Sequence, residues 1–307
     1  MISRFSSLGL GIALRRLLGV RLGRFHQYGP RQLSVAAVKH VGDEDRLPMI
    51  SLVTPSFNQA HFVEKTLESV LGQNYPKLQY IVQDGLSSDG TQEILGRYAT
   101  RNIDIRIETD DGQTDALNKG FAHTDGEIMG YLNSDDLLLP GTLRLVGRYF
   151  RDNPSVDVIY GNRLIVDEVG REVGRWVLPE HNSEILTFID YVPQETMFWR
   201  RRIWERVGGR FDTDFHFAMD WELLLRFIHA GAVFRHLPGL FGAFRVHRNQ
   251  KSQADFLVRG AGEMNCLRLR YGSKNMSFVR RIVLHWAYLS QHRLADAAFE
   301  ASLRKNG

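Results

Sequence analysis

The chain has little cysteine and no long apolar segment, and each shortage limits its class. Cys266 is the only cysteine among 307 residues, so an internal disulfide framework is excluded and a reducing compartment, the cytoplasm, is predicted. Arginines interrupt every apolar stretch within residues 1–40, which leaves each stretch too short and too charged to cross a bilayer. No small-residue cleavage site follows an apolar core there, so a secretory signal is not expected.

Two nucleotide-binding motifs are also missing. No Gly-x-Gly-x-x-Gly follows the first predicted strand, and the sequence has no Gly-Lys-Ser/Thr phosphate loop. These absences disfavour dinucleotide-dependent enzymes and ordinary NTPases. No segment resembles a nucleic-acid-binding module, so nucleic acid is not an expected partner.

The two ends of the chain are basic. Residues 1–40 contain no acidic residue, and their arginines alternate with apolar residues. An N-terminal extension over residues 1–47 therefore has two interpretations, a helix on an anionic membrane surface or a helix docked on the main domain. The arginines do not fall on one clean face, and both interpretations stay open. Residues 251–307 are predicted to form a C-terminal helical region, which is also basic.

Strand-like and helical patterns alternate from residue 48 to residue 136. Segments with helical spacing separate β-rich apolar runs at residues 49–54, 78–82, 103–107 and 127–133. This alternation predicts an α/β fold, Rossmann-like, with a mostly parallel central sheet flanked by helices. The pattern is less regular beyond residue 136. It indicates strands at 156–160, 232–236 and 240–245, a hairpin formed by 164–166 and 172–177, and a helix at 219–230.

Acidic side chains follow the predicted strands. The apolar run that begins at Ile128 ends in Asp135 and Asp136, and the run at residues 78–82 is followed by Asp84. In a parallel sheet these ends would share the carboxyl edge, where open α/β folds bind ligands. Two adjacent carboxylates repel unless a cation or hydrogen-bond donors compensate. Oxygen ligands suit Mg²⁺ or Mn²⁺, so a metal held by Asp136 would take the place of a phosphate-binding loop.

Five motifs together resemble the family 2 glycosyltransferases, which have the GT-A fold. The resemblance covers residues 49–250, and it predicts a GT-A domain over residues 48–250. The motifs are Val53–Asn58, Leu67–Gln73, Asp84–Thr91, Glu108–Gly120 and Asn133–Asp136. The family often has a second acid where Gly85 stands, so this chain carries a variant of that motif.

The resemblance implies a nucleotide-diphosphate sugar donor, with a UDP-sugar favoured, and a divalent Mn²⁺ or Mg²⁺ ion. Asp84 would bind the base, Asp135 with Ser134 the ribose or sugar, and Asp136 the metal. His247 would be a metal ligand or a phosphate donor, unless it is an ordinary surface histidine. The remaining donor-site residues implied are Thr54, Pro55, Ser56, Phe57, Asn58, Asp110, Asn118 and Lys119, of which Lys119 has a solvated helix residue as its alternative.

Transfer to a hydroxyl also needs a base that takes the proton as the bond forms. The family usually has Glu-Asp at a helix start, where this chain has Met219 and Asp220. Asp220 is therefore the predicted base, helix capping is the alternative, and Glu222 is the reserve candidate. Sugar-contacting residue types nearby are the predicted acceptor site, although core packing explains the aromatic ones equally well. They are Gln194, Glu195, Trp199, Trp221 and Glu222.

The expected function is an inverting, metal-dependent glycosyltransferase. It would move a sugar to a hydroxyl of a glycan or lipid-linked acceptor in bacterial surface-polysaccharide synthesis, in the cytoplasm or peripherally on the inner face of the membrane. Two alternatives stay open. A sugar-1-phosphate nucleotidyltransferase normally needs a glycine-rich basic loop after the first strand, which residues 56–60 lack. A non-catalytic nucleotide-sugar-binding subunit is disfavoured by the presence of both Asp136 and Asp220.

Overall fold

A computed structural model describes residues 26–33, 46–247, 259–272 and 277–306. The hypothesis of membrane contact by residues 1–25 lies outside these residues. The strands are β1 (His26–Arg31), β2 (Ile50–Ser56), β3 (Leu78–Asp84), β4 (Asp104–Ile107), β5 (Ile128–Tyr131), β6 (Leu137–Leu138), β7 (Val158–Val166), β8 (Glu172–Trp176), β9 (Phe198–Arg200) and β10 (Phe234–Arg245). The helices are α1 (Val63–Leu71), α2 (Thr91–Gly96), α3 (Gln113–Phe121), α4 (Thr142–Asp152), α5 (Ser183–Leu186), α6 (Arg201–Arg206), α7 (Met219–His229), α8 (Ala261–Tyr271) and α9 (Phe278–Asn306), with a 3₁₀ turn at Gln194–Thr196.

The described strands form one sheet in the order β1-β8-β7-β9-β5-β2-β3-β4, and β10 and β6 join it beside β7. Strands β4, β3, β2 and β5 run parallel to their neighbours. Every residue of β2 is buried, as expected for a central strand that helices cover on both faces. The predicted α/β fold with a central parallel sheet is confirmed, and the acid-bearing ends of β3 and β5 share one edge.

Helices α1 and α3 pack against this parallel part. Helix α1 buries Val63, Leu67 and Val70, which recur at the three- and four-residue spacing of one helical face. Helix α3 lies close to β2, because a Cβ added to Gly120 would be only 2.5 Å from Cγ1 of Val53. The close packing fixes α3, whose first turn faces the carboxyl edge of the sheet.

The second half of the sheet is mostly antiparallel. β9 pairs antiparallel with both β5 and β7, and β8 pairs antiparallel with β7 as the predicted hairpin. Strands predicted separately at 156–160 and 164–166 form the single strand β7. The two late predicted strands likewise form β10, whose pairing with β7 shifts register between His236 and Leu240.

The predicted helical N-terminal extension is wrong for residues 26–31, which form strand β1. β1 pairs antiparallel with β8 at the end of the sheet. The pairing is held by side chains as well, because Arg31 donates a 2.6 Å hydrogen bond to Glu172 and Tyr28 bonds the same carboxylate. The edge of β8, which carries the acidic Glu172, therefore pairs with this basic segment, and the segment forms a strand.

The C-terminal part contains the helices α8 and α9. Helix α9 packs on the antiparallel side of the sheet, where Arg175 of β8 binds Asp296 at 3.1 Å and Glu300 at 2.7 Å. Tyr288 of the same helix is buried against Tyr191. Among the described helices none has both the length and the apolar character needed to span a membrane.

Candidate functional site

A pocket of about 710 Å³ opens at the carboxyl edge of the parallel strands. One group of lining residues, here called the strand-end wall, lies at or just after the ends of β2, β3, β4 and β5: Pro55–Phe57, Gly85, Asp110 and Asn133–Asp135. A second group, here called the hairpin wall, comes from later segments of the chain: Arg163, Trp176, Asp190–Val192, Gln194, Met219, Asp220 and Phe244. The two walls combine the predicted edge of the sheet with residues from the antiparallel half.

Five residues at the end of β2 and in the turn after it are predicted to bind the donor, and three of them line the pocket. Pro55, Ser56 and Phe57 line it, and the ring of Phe57 is exposed. Thr54 lies below the wall, where its hydroxyl is 3.0 Å from the Tyr80 hydroxyl. Asn58 shapes the turn by accepting a 2.9 Å hydrogen bond from the backbone N–H of Ser88. The two residues outside the wall therefore support the turn.

Asp84 is fully buried beneath the pocket. Its carboxylate accepts hydrogen bonds from the backbone N–H and the hydroxyl of Ser87, at 2.8 and 2.6 Å. Gly85 and Asp110 face the pocket in its place. They are tightly packed, because a Cβ at Gly85 would lie 2.4 Å from Oδ2 of Asp110. Burial raises the pKa of Asp110. The Asp84 carboxylate is thus not part of the pocket surface, and its role in base binding stays a prediction.

Asn118 and Lys119 do not line the pocket, and the donor-site prediction for both is corrected. Asn118 bonds Phe211 twice, because its amide donates to the Phe211 carbonyl at 3.1 Å and accepts from its N–H at 2.8 Å. Lys119 forms a 2.8 Å ion pair with Asp115 one helical turn earlier. Asn118 therefore ties α3 to the loop before α7, and Lys119 is the helix-surface residue of the alternative interpretation.

The two acids after β5 have different environments. Asp135 and Ser134 line the pocket, but Asp136 is only 1% exposed and does not. Oδ1 of Asp136 accepts a 3.0 Å hydrogen bond from the backbone N–H of Arg245. Burial, followed by the charge of Asp135, holds the pKa of Asp136 well above its usual range. Oδ2 of Asp136 is buried and accepts no hydrogen bond from the described residues, so the role of Asp136 as a metal ligand stays a prediction.

Of the two carboxylates, that of Asp135 lines the pocket. Nε2 of His247 lies 3.0 Å from Oδ2 of Asp135, and the His247 ring packs on Phe62 at a centroid distance of 4.6 Å. In the part of the chain that the structure describes, no three metal-ligating side chains come together. Mg²⁺ and Mn²⁺ bound with nucleotides typically use one or two protein ligands and complete their shell with phosphate oxygens and water. Asp135 and His247 meet that requirement.

Asp220, at the start of α7, faces the pocket from the hairpin wall. Burial raises the pKa of this carboxyl to about 6, against the lowering effect of a 2.8 Å hydrogen bond from the Trp221 N–H. The helix-cap alternative stays open, since this bond satisfies a backbone N–H in the first turn of α7, whose N-cap residue Ala218 makes no side-chain bond. Glu263 of α8 accepts hydrogen bonds from the backbone N–H groups of residues 216–218. A carboxyl with this pKa is suited to accept a proton near neutral pH.

The predicted acceptor residues separate into two groups. Gln194 lines the pocket, where its amide donates to the Tyr131 carbonyl at 3.0 Å and accepts from Asn133 at the same distance. Glu195 lies just behind the wall and is bonded to Arg163 through two oxygens. Gln194 therefore keeps a place at the pocket, whereas Glu195 supports a neighbouring side chain.

Trp199, Trp221 and Glu222 are all fully buried and away from the pocket, so their acceptor prediction is corrected. Trp199 packs with Trp204 and Phe121 in the aromatic core. The Trp221 indole donates a 2.7 Å hydrogen bond to the Leu186 carbonyl, and Glu222 binds Arg226 at 2.8 Å. Core packing, the alternative interpretation, explains both tryptophans.

Two charged pocket residues were missed from the sequence. Asp190 faces the pocket, and burial together with the charge of Asp220 raises its pKa well above its usual range. Arg163 faces the pocket from β7, although its side chain is only 9% exposed. One signal was available for Arg163, because it is the only charged residue in the otherwise apolar run Val158–Val166. Asp190 carries no comparable signal.

A parallel sheet with an acid-lined pocket at its carboxyl edge is a Rossmann-like arrangement, in which ligands bind outside the carboxyl ends of the strands. The family model for Glycosyl transferase family 2 matches residues 51–218, more than half of the chain. The chain therefore belongs to the family 2 glycosyltransferases and is a transferase, as the sequence motifs predicted.

Relatives and solved structures agree with this assignment. The O-antigen biosynthesis protein RfbC of Myxococcus xanthus is 30% identical over 232 residues, which are 74% of this chain and 18% of RfbC. S. aureus TarS 1-349 in complex with UDP-GlcNAc aligns over 80% of this chain and 72% of its own, with a TM-score of 0.59 and 16% identity. The mannosyltransferase PcManGT of Pyrobaculum calidifontis, in complex with GDP-Man and Mn²⁺, aligns over 85% and 77%, with a TM-score of 0.57 and 21% identity. These structures confirm the GT-A fold.

Proposed function

We propose that the protein is an inverting, metal-dependent glycosyltransferase that uses a nucleotide-diphosphate sugar, with a UDP-sugar favoured. The observation that carries the proposal is that Asp220, Asp135 and His247 line one pocket. The pocket therefore offers the same bound substrates one proton acceptor, Asp220, and two side chains of the kinds that bind metals, Asp135 and His247. TarS and PcManGT, which share the fold, were solved with UDP-GlcNAc and GDP-Man.

The strand-end wall would bind the donor. Phe57 and Ser56 offer an exposed ring and a polar edge for the nucleoside, and Asp110 offers a carboxylate for hydroxyl groups. Asp135 and His247 would hold Mn²⁺ or Mg²⁺, which supplies charge neutralisation for the departing nucleoside diphosphate. Asp136 would act indirectly, because its bond to the Arg245 N–H ties the strand that carries His247 to the loop that carries Asp135.

The hairpin wall would perform the proton transfer. Asp220 takes the proton from an acceptor hydroxyl as that oxygen forms its bond to the anomeric carbon. The bond from the anomeric carbon to the diphosphate breaks on the opposite face, so one displacement inverts the configuration and leaves no covalent enzyme intermediate. Positioning both substrates in one pocket would supply much of the rate.

The acceptor is proposed to be a glycan or a lipid-linked glycan in surface-polysaccharide synthesis. RfbC, the relative that matches most of the chain, is named for O-antigen biosynthesis. A peripheral site on the inner face of the membrane would suit such an acceptor. Near the start of α9, Val279 and Val283 are exposed beside Arg280, which is the composition expected for contact with anionic lipid. Flotation with anionic and neutral vesicles tests this, and equal recovery with both would contradict the contact.

A thermal-shift screen of UDP, GDP, CMP and dTDP, each with and without Mn²⁺, tests the donor site. A ligand that binds only the folded state raises the melting temperature. We expect one nucleoside diphosphate to stabilise the protein, and more strongly with Mn²⁺ than without. No shift with any nucleotide would contradict the proposal.

Product analysis then separates the alternatives. Incubation with the matching nucleotide sugar and glycan acceptors should release the nucleoside diphosphate. A nucleotidyltransferase would instead release pyrophosphate from an NTP and a sugar phosphate. Donor binding without transfer or hydrolysis, under any acceptor, would indicate a non-catalytic binding subunit.

A further inference from the structure

Arg163 has a hydrogen-bonding capacity that the described protein groups do not use. Its Nε and Nη2 both donate to the buried Glu195 carboxylate, so the guanidinium is held as a two-point pair. The guanidinium carbon lies 4.6 Å from the Phe244 ring centroid and 5.5 Å from that of Trp176. Within the described residues no acceptor bonds Nη1. Glu195, Phe244 and Trp176 therefore hold the planar group in place, and it lines the pocket.

Two carboxyl groups with spare acceptors share this wall. Asp190 accepts no hydrogen bond from the residues that the structure describes, and Asp220 uses one oxygen for the Trp221 N–H. Arg163 is near enough to both to act on them electrostatically. Trp176 and Tyr191 add aromatic surface to the same side of the pocket. The wall thus offers one donor nitrogen, carboxyl acceptors and aromatic rings, a combination typical of sugar-binding sites.

The charge balance of this cluster selects the ligand. Glu195 already neutralises Arg163, and Asp190 and Asp220 add only acidic groups. An anionic ligand would lie beside the acidic groups of Asp190 and Asp220 at a guanidinium whose charge Glu195 already offsets, whereas a neutral hydroxyl group can both accept from Nη1 and donate to a carboxyl oxygen.

We propose that Arg163, Asp190 and Trp176 form an acceptor subsite for an uncharged sugar ring, in which Nη1 of Arg163 donates to a ring hydroxyl and Asp190 accepts from one. The inference rests on the proposed function, since it places the acceptor sugar beside the base. It makes Arg163 and Asp190 specificity-determining residues that reject uronic acids, and it makes Glu195 a positioning residue for Arg163.

Saturation-transfer NMR on the full chain with UDP and Mn²⁺ tests the subsite. The probes are neutral methyl glycosides of glucose, galactose, mannose and N-acetylglucosamine, with methyl glucuronide and methyl galacturonide as charged counterparts. We expect at least one neutral glycoside to bind and both uronides to bind more weakly. Arg163→Lys keeps a positive charge next to Glu195 but loses the planar guanidinium that donates from several nitrogens. It should weaken glycoside binding by about tenfold. Asp190→Asn should weaken it severalfold.

The matched control is Arg175→Lys. Arg175 is an equally buried arginine in the same hairpin, but it binds Asp296 and Glu300 of α9 and does not line the pocket. It should leave glycoside binding unchanged. The melting temperature and Mn²⁺-dependent UDP binding of each variant report separately on folding and on the donor site. UDP binding that survives while the subsite fails would therefore overturn this inference alone.

Four results would overturn the subsite. Three of them are binding of uronides in preference to neutral glycosides, wild-type binding by Arg163→Lys in a folded protein, and absence of binding by every neutral glycoside. Displacement of the bound glycoside by UDP-glucose, UDP-galactose or UDP-GlcNAc would also overturn it, because the sugar would then occupy the donor position. Retention of the glycoside beside a bound UDP-sugar supports the acceptor assignment.

Discussion

The two walls of the pocket are built in different ways. The strand-end wall is local, because each of its residues follows directly from a parallel strand whose end must lie at that edge. The hairpin wall is assembled from distant segments, and its charges depend on tertiary partners such as Glu195 for Arg163 and Glu263 for the start of α7. A local wall is suited to a constant ligand such as the nucleotide, whereas an assembled wall can change with the acceptor. Substitutions should therefore separate donor binding from transfer.

The largest effect is expected for Asp220→Asn on the hairpin wall. Without a proton acceptor, turnover should fall by about 10²-fold or more. Binding of UDP with Mn²⁺ should remain, because the strand-end wall is unchanged. Turnover with the matched donor and calorimetric UDP binding measure the two effects. Near-normal turnover would show that Asp220 is not the base.

The next effect distinguishes the adjacent acids on the strand-end wall. Asp135→Asn should weaken Mn²⁺-dependent UDP binding by about tenfold or more, since it removes the carboxylate that faces the pocket. Asp136→Asn is the matched control, because an amide oxygen can still accept from the Arg245 N–H. It should bind UDP almost normally. If titration calorimetry showed a larger loss of UDP binding for Asp136→Asn than for Asp135→Asn, Asp136 would be the metal ligand.

The pH dependence of turnover should report the hairpin wall alone. Below its pKa of about 6, Asp220 carries a proton and cannot accept another. Turnover at saturating substrate should therefore fall about tenfold for each pH unit below that value, and should be level above it until another group titrates. UDP binding measured across the same range provides the control. An acid limb near pH 4 would contradict the raised pKa.

The smallest effect on turnover is expected for Glu222→Gln. This change removes the charge that Arg226 faces inside the core, and should lower the free energy of unfolding by about 2 kcal/mol. Turnover of the folded protein should stay within about twofold, because Glu222 does not line the pocket. Denaturant unfolding and an activity assay below the transition check both parts, and a large loss of turnover would restore the acceptor prediction.

The sequence predicts the parallel half of the fold well and the hairpin half poorly. Strand ends near Pro55, Asp84 and Asp135 fall where predicted, because alternation of strand and helix determines which edge they share. Which carboxylate of Asp135 and Asp136 points outward depends on a bond to Arg245, more than 100 residues away. Local patterns cannot specify such a contact.

Aromatic residues gave the least reliable site predictions for a related reason. Trp199 and Trp221 are chemically suited to contact sugars and equally suited to fill a core. Their burial is decided by Phe121, Trp204 and Leu186, which arrive from other helices. Asp190 was missed because an isolated acid in a loop is normally solvated, and only the packing around the pocket removes it from water.

The Asp110 carboxylate fills the space beside Gly85, so the residue at one of these positions limits which residue the other can hold. A side chain at position 85 would collide with the Asp110 carboxylate, which is held by a 2.8 Å hydrogen bond from the Gly112 N–H. A side chain at position 85 therefore requires that the Asp110 carboxylate turn away and give up this hydrogen bond, or that another residue stand at position 110. An acid at position 85, as in the two-acid motif, would change the shape of the pocket through Asp110 as well as through its own charge.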